Sequence, residues 1–92
     1  MAITNTAVTV TTSATKIASA DPTRRRLLLH NGSGGTIYIG GSGVTTANGH
    51  HIKTQEELIL VQATDADATI KQEWYAIVGS GTATLTVMEV SD

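Results

Sequence analysis

Alternation of apolar and polar residues is the main pattern of this chain. In the segment 82–90, alanine, leucine and valine alternate with threonine, the two-residue period of a strand with one buried face. The glycine-rich segment 79–81 joins this stretch to the apolar segment 70–78. Because glycine adopts the positive φ that tight turns need, the two segments predict a β-hairpin.

A second hairpin is predicted in the first half of the chain. Segments 25–30 and 36–40 both read as strands, and the segment between them contains three glycines. We expect the leucines of the first strand, Leu27 and Leu29, to face the same core as the isoleucines of the second, Ile37 and Ile39.

The remaining segments predict shorter extended elements. Segment 1–12 reads as an extended N-terminal arm or edge strand, and segment 14–18 as a short strand. The sequence Asp21-Pro22-Thr23 predicts a turn, because proline fixes φ and donates no hydrogen bond to a ladder.

The middle of the chain predicts a loop and then a central strand. Segment 44–52 is expected to be a loop with a turn at Asn48-Gly49. Segment 57–62 is apolar without alternation, which predicts a strand covered on both faces at the centre of a sheet. Segment 63–69 is expected to be a polar loop, and its residues Asp65 and Asp67 are interpreted as turn residues rather than as calcium ligands.

These elements predict an all-β fold. About seven short strands and no helical periodicity favour a single small antiparallel β-sandwich or jelly-roll-like barrel over residues 13–92, preceded by the arm. The chain has 92 residues, no cysteine and no phenylalanine. A core of this size stabilises a monomer only modestly, and disulfides are excluded, so self-association is the expected source of further stability.

Charge and composition exclude several function classes. The net charge is −2, which does not favour binding to nucleic acid or to an anionic membrane. The first residues lack the pattern of a signal peptide, and no apolar run reaches the ~20 residues of a membrane helix. We therefore expect a soluble protein that binds neither nucleic acid nor membranes.

Three consecutive arginines are the one basic cluster. On a strand, Arg24 and Arg26 are expected to point one way and Arg25 the other. They are interpreted either as solvated charges paired with Asp21 or a nearby glutamate, or as contacts to carboxylates at a protein interface; phosphate binding is a third reading.

Candidate catalytic and metal-binding residues are sparse. His50 and His51 are adjacent, so on a strand they face opposite ways and cannot share one metal ion. Glu56 and Glu57 are adjacent too, which is a poor geometry for a pair of catalytic carboxylates. We predict no enzymatic activity, no metal and no cofactor.

Five short segments carry a resemblance to a known class of proteins. They are 14–18, 21–25, 27–31, 37–40 and 44–49, and in this order they resemble the small virion structural proteins of tailed bacteriophages, of the head decoration or cement type. The resemblance spans residues 14–90. Members of the class usually have proline or glycine soon after the Asn-Gly turn, whereas 52–56 of this chain has neither.

The resemblance implies a function and a partner. Proteins of this class bind the outside of an assembled head and stabilise contacts between major capsid subunits, often as trimers. The implied location is the capsid surface, after synthesis in the host cytoplasm. One of Trp74 and Tyr75 is expected to anchor the core and the other to face a contact. The residues that we expect at interfaces are Ile3, Val8, Val10, Arg24, Arg25, Arg26, Tyr38, Trp74 and Tyr75.

Two other functions stay open at this level. The chain could be a carbohydrate- or receptor-binding module of a head fibre or tail, in which Tyr38, Trp74 or Tyr75 would line a shallow groove. It could also be a connector or tail-tube component, which would form rings of six or twelve copies.

Overall fold

Eight β-strands and one turn of 3-10 helix make up the computed structural model, which describes residues 2–62 and 68–92. The helical turn is Thr69–Lys71. Within these ranges no helix has the length and apolar character needed to cross a membrane. The strands are β1 (Ala2–Val10), β2 (Thr15–Ala18), β3 (Arg24–Ser33), β4 (Ile37–Gly40), β5 (His50–Ile52), β6 (Glu57–Val61), β7 (Trp74–Val78) and β8 (Ala83–Ser91).

The strands form two four-stranded antiparallel sheets. One sheet has the order β1-β8-β3-β6 and the other has the order β2-β7-β4-β5. This is the strand order of a jelly roll, in which two Greek keys wrap into a sandwich. The all-β sandwich predicted from the alternation pattern is confirmed. The strand count is eight because β5 lies inside the segment that was expected to be a loop.

Both predicted hairpins are wrong. β7 and β8 are consecutive in the chain, but they belong to different sheets, as do β3 and β4. The glycine-rich segments 79–81 and 34–35 therefore cross from one sheet to the other. A period of two fixes which face of a strand is buried, but it does not distinguish a partner in the same sheet from one across the core.

The prediction that 57–62 forms a central strand covered on both faces is also wrong. β6 is an edge strand that pairs only with β3 among the described strands. Leu58 and Leu60 pack against the core, whereas Ile59 and Val61 on the other face are each 55% exposed. The run is apolar because both faces of β6 carry apolar side chains, and the fold covers only one of these faces.

The N-terminal segment forms the opposite edge of the same sheet. β1 pairs with β8 over its whole length, from Ala2↔Ser91 to Val10↔Ala83. Its start is exposed and its end is fully buried at Val10. The predicted acidic turn at Asp65 and Asp67 lies outside the described residues.

Aliphatic side chains from both sheets form the core. The leucines of β3 do face the isoleucines of β4, as predicted, but across the sandwich. Trp74 packs against this core and is partly buried. The buried apolar cluster consists of Val10, Ile17, Ala18, Leu27, Leu29, Ile37, Ile39, Ile52, Ile70, Ala76, Val78, Ala83, Leu85 and Val87.

The segment that follows β3 depends on a buried amide and on one glycine. Asn31 is fully buried, and its Nδ2 donates hydrogen bonds to the carbonyl oxygens of Gly35 and Ile52, each at 2.9 Å. Gly34 has a φ of 87°, and a Cβ atom there would lie 2.7 Å from the Cβ of Ala83. Close approach to β8 and left-handed backbone therefore both require glycine at this position.

The turn before β6 also contains a residue with positive φ, but this residue is not a glycine. Gln55 has a φ of 71° and is the one non-glycine residue with positive φ in the described ranges. Its amide N–H donates to Asn31 O at 2.7 Å and its side chain Nε2 to Gly32 O at 3.0 Å.

Candidate interaction surface

The outer face of the sheet β1-β8-β3-β6 carries apolar side chains from every strand. Two neighbouring rows run across it. The strand register gives the first row as Ile3, Val90, Arg26 and Val61, and the second as Asn5, Met88, Leu28 and Ile59. We call the six apolar members of these rows the apolar face: Ile3, Leu28, Ile59, Val61, Met88 and Val90.

The apolar face is the most exposed apolar region of the described chain. Its edge residues are the large exposed hydrophobics: Ile3 at 64% and Ile59 and Val61 at 55% each. The other three members, on the inner strands, are half-buried. Contiguous exposed apolar surface with a polar rim is typical of sites that bind another protein.

A shallow cavity of about 230 Å³ lies within this face. Its apolar walls include Leu28, Ile59 and Met88, and its polar rim includes His30 and Glu57. A depression of this kind can accept an apolar side chain of a partner, the usual arrangement at the centre of an interface.

The rim carries charges that have no ion-pair partner. Arg26 and Glu57 lie on the same outer face, and neither forms a salt bridge in the described parts of the chain. Arg25, by contrast, donates from Nε to Asp92 Oδ2 at 2.7 Å. Arg26 and Glu57 are thus available to charged groups of a partner, which favours orientation more than affinity.

Arg24 lies inside the sandwich, so the prediction that Arg24 and Arg26 share a face is wrong. Arg24 is 1% exposed, whereas Arg26 is exposed on the outer face. The ladder between β3 and β8 pairs Arg24 with Ser91 and Arg26 with Val90, which is a register shift. This irregularity around Arg25 breaks the alternation and turns Arg24 inward.

The Arg24 guanidinium links three parts of the chain. Its Nη1 donates to Ile70 O at 2.8 Å and to Gln72 O at 2.9 Å, and its Nη2 donates to Ser19 O. Glu89 Oε1 lies 2.7 Å from Nη2, an ion-pair contact whose angles are not those of a hydrogen bond. Arg24 Nε is buried without a partner. The expected ion pair with a glutamate is present, but Arg24 is buried and is not the solvated charge that was expected.

Beside this ion pair a cleft of about 390 Å³ opens between the β1 and β2 edges. Arg24 and Glu89 line it together with Asp21 and Lys16. The Nη groups of Arg24 already bind the three carbonyl oxygens and Glu89, so this arginine stabilises the domain. Lys16, the other cation of the lining, pairs with Glu73 at 3.0 Å, so the described lining offers no unpaired cation to an anionic ligand.

Asp21 caps the turn that leads into β3. Its Oδ1 accepts hydrogen bonds from the Thr23 N–H at 2.9 Å and from the Thr23 hydroxyl at 2.8 Å. These bonds, the backbone one first, and the neighbouring charge of Arg24 lower the pKa of Asp21 below its usual value. The carboxylate form is therefore more favourable in the folded chain than in the unfolded one.

This lowered pKa predicts a pH dependence of stability. A carboxyl group whose folded pKa is depressed stabilises the fold fully above its unfolded pKa of about 3.9, and that contribution is lost as the pH falls through the folded value. We expect Asp21→Asn, which keeps an oxygen acceptor but no charge, to melt below the wild type at pH 7. The gap should close as the pH falls below about 4. A gap that stays constant down to pH 2, measured by circular dichroism, would contradict this prediction.

The outer face of the second sheet carries two of the three aromatic residues. Tyr38 pairs with Ile77 and Tyr75 pairs with Gly40, so the two tyrosines are diagonal neighbours on the adjacent strands β4 and β7. Both are half-buried. Trp74 lies on the core side, and its Nε1 donates to Ile70 O at 3.4 Å.

The two adjacent histidines, which were expected to face opposite ways, lie with their rings close together. His50 and His51 are both exposed, and their rings stack with centroids 6.0 Å apart and planes inclined by 17°. No group of three or more histidine, aspartate or glutamate side chains suited to a metal ion occurs in the described ranges.

The nine residues expected at interfaces fall into different environments. Val10 and Arg24 belong to the interior, and Val8 and Trp74 pack against the core. Ile3, Arg25 and Arg26 are exposed, and the tyrosines are half-buried on the second sheet. Sequence reasoning missed the other five members of the apolar face. The signal was present in the apolar runs around Leu28 and Ile59, where both strand faces are apolar.

Comparison with family models, with curated proteins and with solved structures finds no match for this chain.

Proposed function

We propose that this protein is a structural module that decorates the outside of an assembled phage head. It binds the major capsid protein and stabilises the contacts between neighbouring capsid subunits. It has no enzymatic role, and it acts as an oligomer, with a trimer as the expected state. The resemblance in the sequence is one support for this proposal, and the surface of the domain is the other.

The observation that carries the proposal is the apolar face. Six apolar side chains on four strands form one contiguous outer surface, and three of them are more than half exposed. A domain with a separate, complete core does not need this surface for folding. Jelly rolls occur in viral capsid proteins and in lectins, which is an analogy of fold and not of function.

The mechanism is repeated weak binding. Each copy covers a modest apolar area on the shell, and Arg26 and Glu57 on its rim set the orientation by pairing with charges of the capsid subunit. Copies that are linked to each other bind with an avidity far above the affinity of one copy. The shell is then held in its closed form, because binding favours the state that presents complete sites.

Co-sedimentation with purified heads that lack the protein tests this function. We expect wild-type protein to pellet with the heads in saturable amounts and Met88→Lys to bind at least tenfold more weakly, about 1.4 kcal/mol. The lysine puts a charge at the centre of the apolar face. Its stem replaces the contacts of the methionine within the free domain, so the melting temperature should change little.

Thr84→Lys is the matched control. Thr84 lies on the same strand and the same outer face, but outside the two apolar rows, and it is exposed. We expect this variant to bind heads like the wild type. Absence of wild-type binding, or equal binding of both lysine variants, would overturn the proposal.

A glycan-binding module is the second candidate. Tyr38 borders a cavity of about 300 Å³ whose lining includes the hydroxyl side chains of Thr36, Thr46 and Ser80. Aromatic and hydroxyl groups around a shallow depression suit a sugar ring. Glycan-array binding that disappears in Tyr38→Ala, together with no affinity for heads, would favour this candidate.

A further inference from the structure

The sheet that carries the apolar face has two free edges. β1 forms one edge and β6 the other, and no other described strand pairs with their outer sides. All three large exposed hydrophobics lie on these two strands: Ile3 on β1, and Ile59 and Val61 on β6. A single contact between the two edges would bring all of them together.

The hydrogen-bonding pattern of β6 leaves its outer-face residues with amide groups that no described strand uses. At the ends of this strand, Asn31 N–H donates to Glu56 O at 3.1 Å and Gln62 N–H donates to Arg25 O at 2.9 Å. Both pairs share the register of the β3–β6 ladder. Because bonded and non-bonded pairs alternate along an antiparallel ladder, Ile59 and the other outer-face residues of β6 direct their amide groups away from β3.

The same alternation carries across the sheet to β1. The backbone amide groups of Leu28 point toward Met88, so those of Met88 point toward β3 and away from Asn5. The backbone amide groups of Asn5 therefore point away from β8, toward the free edge of the sheet. Ile3 and Ala7 share this orientation, because they lie two residues away on either side. The two edges therefore present free amide groups from residues of the same outer face.

β1 also lacks the features that keep an edge strand from pairing. It has nine residues without a charge or a proline, and its pairing with β8 has no register shift. The edges of the other sheet are protected: β2 has four residues, a lysine and a register shift, and β5 has three residues. Natural proteins block exposed edges by such means, so the unblocked edge of β1 indicates a strand partner.

We infer that β1 of one copy pairs antiparallel with β6 of a second copy of this chain. The strand directions fit, because β1 and β6 are antiparallel within the sheet, so the next copy continues it in the same orientation. In every register that matches the free amide groups, outer-face residues lie opposite outer-face residues. A register that places Ile3 opposite Ile59 or Val61 brings these exposed side chains together across the contact.

This contact is heterologous, so it repeats from copy to copy until the rotation between copies closes a ring. The apolar faces of neighbouring copies become one continuous surface. The inference deepens the proposed function by identifying how copies join, but its test needs no capsid. Binding to heads and the contact between copies are therefore tested by separate experiments.

Native mass spectrometry and light scattering of the isolated protein test the contact. We expect the wild type to be an oligomer, at three times the chain mass of 9.6 kDa if the ring has three members. Asn5→Pro should be monomeric and folded, because it removes an amide N–H that β8 does not use. Thr6→Pro is the matched control: its N–H bonds to β8, so this variant should lose stability.

A monomeric wild type, or an oligomer that Asn5→Pro leaves intact, would overturn the inference. If Asn5→Pro does not fold, Ile59→Lys provides the same test from the other edge, since its side chain is exposed in the single chain. The lysine variant should also be monomeric, and an intact oligomer would overturn the inference here too.

Cysteine cross-linking identifies which edges meet. The chain has no cysteine, so copies with one cysteine at Ile3, Asn5 or Ala7 can be mixed with copies that have one at Glu57, Ile59 or Val61. Directly opposed residues on paired strands have Cβ atoms about 4.5–5.5 Å apart, close enough for a disulfide after small adjustments. We expect mixed disulfides to exceed either self-disulfide. An excess of products that join β1 to β1 over the mixed products would contradict the inference.

Discussion

Replacing Arg24 by alanine is expected to lower the free energy of unfolding by about 3–5 kcal/mol. The substitution removes the cation of a pair in which Arg24 is 1% exposed and Glu89 is 23% exposed. It also removes the hydrogen bonds from the guanidinium to the carbonyl oxygens of Ser19, Ile70 and Gln72, of which Ile70 O keeps the Trp74 Nε1 donor at 3.4 Å. The partly buried Glu89 carboxylate that loses its cation, and the carbonyl oxygens that lose a donor, then bear a desolvation penalty.

Urea unfolding at pH 7 measures this effect, and Arg26→Ala is its control. Arg26 lies two residues away on the same strand but is exposed and forms no ion pair in the described ranges, so its removal should change stability by less than about 0.5 kcal/mol. Arg24→Lys should fall between the two, because lysine keeps the charge but lacks the planar fork. A cost for Arg24→Ala below about 1 kcal/mol would show that the network is not needed for stability.

Replacing Gly34 by alanine is expected to destabilise the fold by about 3 kcal/mol in total, from left-handed strain of about 1–2 kcal/mol and overpacking of about 1–3 kcal/mol. The new methyl group would lie 2.7 Å from Ala83 Cβ and 2.8 Å from Thr82 O. The second of these neighbours is backbone, so relief requires movement of the segment that leads into β8.

Gly35→Ala is the matched control at the next residue. Nothing lies within 4 Å of a Cβ atom at Gly35, and its φ is not positive. We expect this variant to be as stable as the wild type or slightly more stable, because alanine restricts the unfolded chain. Equal melting temperatures for the two alanine variants would show that the crossing at Gly34 is not the constraint inferred from the geometry.

Arg24 and Gly34 both fix the position of strands that carry the apolar face. Arg24 links β3 to the segment after β2 and to the segment before β7, and Gly34 allows the chain after β3 to pass closely over the start of β8. β3 and β8 are the two inner strands of the apolar face. Loss of either feature should therefore reduce partner binding through the fold, whereas Met88→Lys should reduce it without a change in folding.

The local pattern of the sequence predicted most strand positions because burial of one face imposes a period of two. The alternation in 82–90 gave the inward residues of β8 correctly, and Leu27 and Leu29 gave those of β3. The turn at Asp21 was also predictable from its own residues. The Asp21 side chain accepts a hydrogen bond from a backbone N–H only two residues away, and proline fixes its own φ.

The partner of each strand could not be predicted in the same way. A glycine-rich connection after an alternating strand suits both a hairpin and a crossing to the opposite sheet, and here it is the crossing in both cases. The choice depends on how all eight strands cover each other's apolar faces, which is a property of the whole chain. The edge position of β6 could not be predicted for the same reason. The order of all strands in the sheet decides that no described strand lies beyond β6.

The sequence by itself determined that this protein is a small all-β sandwich with an aliphatic core, because strand periodicity and turn residues are local. Only the tertiary structure decided that Arg24 is buried and Arg26 free, since a register shift between β3 and β8 separates them. It also decided that the apolar residues of four distant strands meet on one outer face. Such a surface depends on strand order and register, which arise from long-range packing rather than from any segment alone.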